Sequence, residues 1–162
     1  MQGIRRYIGA MAVNLDEIDW AIIEQLQQDA RISLSELGRR VSLSASATTE
    51  RVRHLEAQGV ITGYRAVVDL AKVGYPVLAV VRLKYPGNHH QPLRRLIAER
   101  REILECVRTT GDDCYTLKVA ATSMQHLETL MDELAGFGST TTSVVYSQTL
   151  PYRGPARPSA VV

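Results

Sequence analysis

Two cysteines, Cys106 and Cys114, are all that the 162 residues contain. No secretory signal is recognisable ahead of them, so no disulfide framework is expected, a reducing cytoplasm is the natural setting, and both thiols read as packing residues. Long apolar runs are missing too. The opening stretch MQGIRRYIGAMAV carries two arginines and a short apolar segment, too short and too poorly polarised for a signal peptide or a membrane span. It reads as a loose extension over residues 1–14. The chain also lacks a Ser-His-Asp arrangement, a metal-ligand spacing and a phosphate-binding glycine loop, so neither a metal nor a cofactor is expected. His89-His90 lies among Pro86, Gly87, Asn88 and Pro92 without a second ligand cluster and reads as a turn. Charge of one sign is scarce: the formal net charge is +2, below what a strong nucleic-acid footprint usually gives.

What is present is patterned. Apolar residues make up 45% of the chain, enough to build one ordinary core or two small ones. Charge is unevenly distributed, with Asp16, Glu17, Asp19 and Glu24 crowded together while Arg39, Arg40, Arg51 and Arg53 fall in one later segment, where they could neutralise phosphates. Asp16 is a good N-cap, and Ile18, Ile22, Ile23 and Leu26 repeat with helical spacing to about Gln28. From Arg31 to Ile61 two short amphipathic helices are expected around a tight turn. Ser33 and Glu36 have the spacing of a capping box, and Leu34, Leu37 and Val41 share a face; Gly38 sits where a neighbouring helix needs close approach. Ser42-Leu43-Ser44 breaks the pattern, Thr48, Val52 and Leu55 resume it, and Gly59 suits a left-handed C′ position. This is the outline of a helix-turn-helix over residues 15–62, whose segment Ser44 to Arg51 faces DNA. A recognition helix reads base edges near its N-terminus, where small hydroxylated side chains approach closely. Ser46 and Thr49 are therefore the candidates for readout and Arg51 and Arg53 for phosphate or base contact, with Ser44 better suited to capping the helix. One module of this size binds DNA weakly, so dimerisation is expected.

After Gly59, the β-branched stretch Val60 to Asp69 suggests a strand or wing, and residues 63–76, with Gly74 and Pro76, form a strand and linker. From Val77 the pattern changes. A strand VLAVVRLKY, a helix through Leu93, Leu96 and Ile97, a strand Ile103 to Thr110, a turn at Gly111-Asp112-Asp113, a strand CYTLKVAA, a helix from Met124 to Leu134 and a strand TTSVVYSQTL make βαββαβ, the split ferredoxin-like arrangement, over residues 77–150. The fold class is thus α+β, a winged helix-turn-helix domain linked to a ferredoxin-like domain. Residues 151–162, with three prolines, read as a flexible tail.

Taken together, LDEIDWAII, RISLSEL, ERVRHLEAQGVITGY, DLAKVGYP and TTGDDCYTLKV resemble the Lrp/AsnC, or feast/famine, regulators, in order from Leu15 to Leu150. The resemblance implies a DNA-binding transcriptional regulator of double-stranded DNA, not an enzyme. It further implies an effector and assembly domain, homodimers that often associate into octamers, and an amino acid as effector. In the family the loop between the second and third strands borders the ligand pocket at contacts between dimers. Here that loop is Thr110-Gly111-Asp112-Asp113-Cys114-Tyr115, with Asp112 suited to an ammonium group, the turn at Gly111 to a carboxylate, and Thr142 a further candidate. Ser42 stands where helix-turn-helix turns commonly have glycine, Thr48 where the family usually has an apolar residue, and Cys114 where many relatives carry another aspartate. Two alternatives share these features. Siroheme decarboxylases resemble the same two-domain fold, with His54, His89, His90 and His126 as possible tetrapyrrole contacts, and a nucleoid-organising protein would wrap DNA with little specificity.

Overall fold

The structure, a computed structural model, describes residues 12–111 and 114–158; most of the expected 1–14 extension lies outside them. Two compact units divide the chain. One comprises the described residues up to Ala66 together with those from Pro151 onward, and the other runs from Val67 to Leu150.

The first unit contains α1 (Glu17–Gln28), α2 (Leu34–Arg40) and α3 (Ala45–Ala57). Asp16 caps α1 in a reciprocal capping box, its side chain accepting from the Asp19 N–H while the Asp19 carboxylate accepts from the Asp16 N–H. At α2 only half of the expected box forms. The Ser33 hydroxyl accepts from the Glu36 N–H, but the Glu36 carboxylate turns to Arg39 and Arg40, whose charges outcompete a neutral N–H donor. Ile22, Leu37, Val52 and Leu55 close the core, and Ile18, Leu26, Val41 and Val60 pack around it. Leu34, expected on that face, is 38% exposed at the first position of α2.

The turn between α2 and α3 depends on close contact. A Cβ on Gly38 would lie 2.7 Å from Thr48 Oγ1 and 2.8 Å from the Leu43 carbonyl oxygen, so only glycine lets the helices meet. Ser42 takes the left-handed conformation at φ +58°, the role glycine fills at no steric cost. Thr48 is fully buried, and its hydroxyl satisfies itself by donating to the Ser44 carbonyl at 2.8 Å. Gly59, at φ +70°, ends α3 in a Schellman motif: Gly59 N–H donates to Glu56 and Val60 N–H to Leu55.

Two expectations are corrected here. Residues 62–69 form no strand and therefore no wing. No strand among the described residues pairs with this segment, and Val67 is 97% exposed; β-branched residues favour extension without supplying a neighbour. The tail is not free either. Through Arg157 it lies against the outer face of α1, where the Gln27 amide donates to the Pro155 carbonyl at 3.2 Å and Arg157 pairs with Glu17 at 3.1 Å. The Arg65 guanidinium sits 5.4 Å from the centre of the Tyr152 ring. Proline removes backbone donors and lowers the entropy lost on docking, so a proline-rich segment can dock without regular structure.

The second unit is built from β1 (Val77–Lys84), α4 (Gln91–Glu99), β2 (Ile103–Arg108), β3 (Tyr115–Ala121), α5 (Met124–Ala135) and β4 (Ser139–Val144). The sheet is antiparallel throughout in the order β2-β3-β1-β4, as a split βαββαβ fold requires. Alternation on β1 buries Ala79, Val81 and Leu83, which face Val119, Leu117 and Tyr115 of β3. Leu93 of α4 and Leu127, Leu130 and Leu134 of α5 cover that face. β4 ends at Val144, short of the expected Leu150, after its register runs out against Ala79.

Candidate nucleic-acid interface and ligand loop

The recognition segment is α3. Its N-cap is Ser44, whose hydroxyl accepts from the Ala47 N–H and lies 3.1 Å from the Ser46 hydroxyl. Ser44, Ala45 and Ser46 are exposed, so the N-terminal turn of α3 is open to a partner. Thr49 is half-buried and donates its hydroxyl to the Ala45 carbonyl at 2.7 Å, leaving its oxygen free only to accept. At 3.6 residues per turn, Ser46 and Arg53 lie within about 20° of each other around the helix, with Thr49 and Glu50 flanking that line. Glu50 is exposed there and was not singled out from sequence. Thr48, Val52 and Leu55 form the buried face.

The four arginines have different fates. Arg53 is exposed and pairs with no acidic group among the described residues. Arg39 pairs with Glu36 and is otherwise open to solvent. Arg40 holds Glu36 at 2.9 Å and donates to the Gln25 side-chain oxygen at 2.9 Å, tying α2 to α1. The two guanidiniums, Arg39 first, hold the Glu36 carboxyl below its ordinary range. Arg51 points away from the exposed stripe. Its Nη1 donates to Asp16 at 2.7 Å and Asp19 at 2.8 Å, joining α3 to the N-terminus of α1. The acidic crowding around Asp16 was the sequence signal of this pairing, but nothing local linked it to a residue 35 positions away.

The ligand loop joins β2 to β3. Thr109 N–H donates to the Cys114 carbonyl at 3.0 Å, and Gly111 turns at φ +99°. Thr110 is exposed; Asp112 and Asp113 lie outside the described residues. Cys114 is half-buried, its thiol 3.9 Å from the Tyr85 carbonyl. Tyr115 belongs to the core at 3% exposure, its hydroxyl 3.0 Å from His90 Nδ1, with the Tyr85 ring edge-on to it and the Arg108 guanidinium 5.5 Å from its ring centre. Burial, then the charges of Arg108 and Arg94, lowers the His90 pKa. This cluster behind the loop escaped sequence reading because it gathers three separate elements. Thr142 does not join the loop. It sits on β4, at the opposite edge of the sheet from β2, and its hydroxyl donates to Met131 Sδ at 3.1 Å. There it helps line an open groove of about 500 Å³ with Met124, Leu127, Glu128 and Val144.

The histidines do not converge. His54 lies 2.8 Å from Gln58, His126 contacts Glu102 at 3.2 Å, and His90 holds Tyr115. Among the described residues no group of three or more His, Cys, Asp or Glu side chains could hold a metal, and no helix is long and apolar enough to cross a membrane.

Comparison with known proteins agrees with this division. Residues 15–56 match the AsnC-type helix-turn-helix domain, and residues 78–155 match the Lrp/AsnC ligand binding domain. The chain is 37% identical over 136 residues to the HTH-type transcriptional regulator LrpC of Bacillus subtilis, covering 84% of this chain and 94% of that protein. It is 33% identical over 138 residues to the regulator FL11 of Pyrococcus horikoshii, covering 83% and 91%. Among solved structures, Bacillus subtilis LrpC superposes with a TM-score of 0.82 at 36% identity, over 86% of this chain and all of that one. A transcriptional regulator from Neisseria meningitidis in complex with L-Met superposes at 0.80 with 25% identity, over 86% and 94%. These relatives are named as regulators and not as enzymes, which sets aside the decarboxylase alternative. On the match of both domains and of these relatives, the chain belongs to the Lrp/AsnC family of DNA-binding transcriptional regulators.

Proposed function

We propose that the protein reads double-stranded DNA through the exposed stripe of α3 and that an amino acid bound at the Thr110–Cys114 loop of an assembled form adjusts that binding. The observation that carries the DNA half is the face of α3 opposite its buried Thr48, Val52 and Leu55, where Ser46 and Arg53 stand exposed. Ser46 and Thr49 contact base edges, Arg53 and Arg39 neutralise phosphates, and Ser44 caps the helix while its exposed oxygen faces the backbone. Arg40, already shared between Glu36 and Gln25, contributes less. The protein acts in the cytoplasm as a homodimer presenting two such helices one helical turn of DNA apart, and dimers associate further into octamers.

For the effector, the complex of the Neisseria meningitidis relative with L-Met supports the amino-acid class. Asp112 provides the anion for the ligand ammonium, the turn at Gly111 offers backbone N–H to its carboxylate, and Asp113 adds a second negative charge to the same loop. Cys114 and the buried Tyr115 shape the wall of the loop, and Thr142 serves the groove at the other sheet edge. The test combines fluorescence anisotropy, on duplexes enriched by the protein from a random library, with thermal shifts across the common amino acids. A selective duplex and a stabilising amino acid whose effect disappears in Asp112→Ala are expected. No enriched duplex overturns the DNA reading, and an extended, cooperative footprint without sequence preference replaces it with nucleoid wrapping. An effector response untouched by Asp112→Ala overturns the ammonium contact.

A further inference from the structure

Arg51 lies on the recognition helix and has the chemistry of a phosphate contact, yet its surroundings give it another task. One nitrogen, Nη1, donates to both Asp16 at 2.7 Å and Asp19 at 2.8 Å. Those two acids are the N-cap and third residue of α1, and they already hold each other's backbone N–H groups. The acceptors are therefore fixed before Arg51 arrives, and their orientation fixes it in turn. The Asp19 side chain is 15% exposed and that of Arg51 34%, so this half of the clasp is shielded more than a typical surface ion pair, while Asp16, at 52%, stands open to solvent. Two carboxylates against one guanidinium leave a net negative charge, which repels a phosphate rather than attracting one. Around α3, Arg51 is about 140° from Ser46, outside the stripe that carries Ser46 and Arg53.

We propose that Arg51 is a positioning residue of DNA recognition: clasped by Asp16 and Asp19, it fixes the rotation of α3 about its own axis against α1, so that Ser46, Thr49 and Arg53 meet the groove together. The proposal rests on the reading of α3 as the recognition helix given above. The hydrophobic contacts of Val52 and Leu55 hold α3 against the core but are non-directional, and a helix seated on them alone can roll by several degrees. A directional ion pair on the flank of the helix removes that freedom. Side chains that must sit within a fraction of an ångström of base edges gain most from such a restraint, whereas non-specific binding to the backbone gains little.

The test uses full-length protein and two probes, a duplex that the wild type enriches from a random library and a scrambled duplex of the same composition. Arg51→Met and the double variant Asp16→Asn/Asp19→Asn are compared with Arg53→Gln; asparagine retains the capping oxygens, so α1 keeps its N-terminus. Expected are a loss of about tenfold in affinity for the enriched duplex in each clasp variant, unchanged affinity for the scrambled one, and an unchanged slope of log K against log salt. Combining the clasp variants should add nothing, and Arg51→Lys should restore part of the selectivity. Arg53→Gln instead should weaken both duplexes and reduce the slope by about 0.9. The same reduction in slope for Arg51→Met, or loss of affinity for both duplexes alike, overturns the proposal, and so does full selectivity in the Asp16→Asn/Asp19→Asn protein. If Arg51→Met fails to fold, the asparagine variant decides the matter alone. A wild type that enriches no duplex defeats the recognition-helix reading itself, an outcome distinct from any of these.

Discussion

Arg51 and Arg53 are chemically identical and two positions apart, but a turn of about 200° around one helix gives one a pair of carboxylates and the other open solvent. Residue type proposes a role, and the neighbours across the helix decide it. The same clasp sets a pH dependence. The Asp16 carboxyl lies below its ordinary value of 3.8, first because the Asp19 backbone N–H donates to it and then because Arg51 does. A depressed folded pKa contributes stability that is fully present above the unfolded value and is lost as pH falls through the folded one. The helical unit should therefore lose part of its stability on going from pH 5 to pH 3. Urea titrations should show a shallower acid decline in Asp16→Asn, because asparagine keeps the cap and cannot titrate. An identical decline in both proteins would show that Asp16 contributes nothing to acid sensitivity. Glu36 faces the same direction of shift, first from Arg39 and then from Arg40, and adds to the same acid decline.

Among the elements, α2 and α3 meet too closely to admit a side chain at Gly38. Gly38→Ala would push a methyl group into Thr48 Oγ1 and the Leu43 carbonyl, and the second of these is backbone that cannot step aside. A destabilisation of about 1–3 kcal/mol is expected from thermal melts, with DNA binding falling as the recognition helix is displaced. Retention of wild-type melting would mean that the helices separate at no cost. The order and type of these elements were legible because each carries a strong period: Ile18, Ile22 and Leu26 for α1, and the alternation of Ala79, Val81 and Leu83 for β1. The Gly59 cap was legible as well, being decided within one turn of chain. Less legible was whatever depends on distant partners. Residues 62–69 have the composition of a strand but find no neighbour among the described residues, and Glu36 left its half of a capping box for two arginines. The loop named for effector binding was placed correctly between β2 and β3, whereas the His90 and Tyr85 contacts behind it needed the folded sheet.

At the level of the whole molecule, the docked tail is the largest departure from the sequence reading. Its closest approach is at Gly154, where a Cβ would fall 1.7 Å from Gln27 Oε1 and 2.2 Å from Gln27 Cδ. The branched side chain of Gly154→Val should therefore force the tail off α1 unless Gln27 yields, without touching the core of Ile22 and Leu55. Limited trypsin digestion is expected to cut after Arg153 several times faster in that variant, with the melting temperature nearly unchanged because exposed contacts such as Arg157–Glu17 are individually weak. Equal cleavage rates would mean that the tail is as accessible when docked as when released. The tail also makes the helical unit discontinuous in sequence: it starts before Ala66 and resumes at Pro151, with the whole βαββαβ unit inserted between. On the ribosome, where domains fold in order of emergence, the three helices can pack long before their last segment exists. The outer face of α1, including Glu17 and Gln27, must then wait without its partners while residues 67–150 are synthesised, so a nascent chain leaves unmade the contacts that Pro155 and Arg157 later supply.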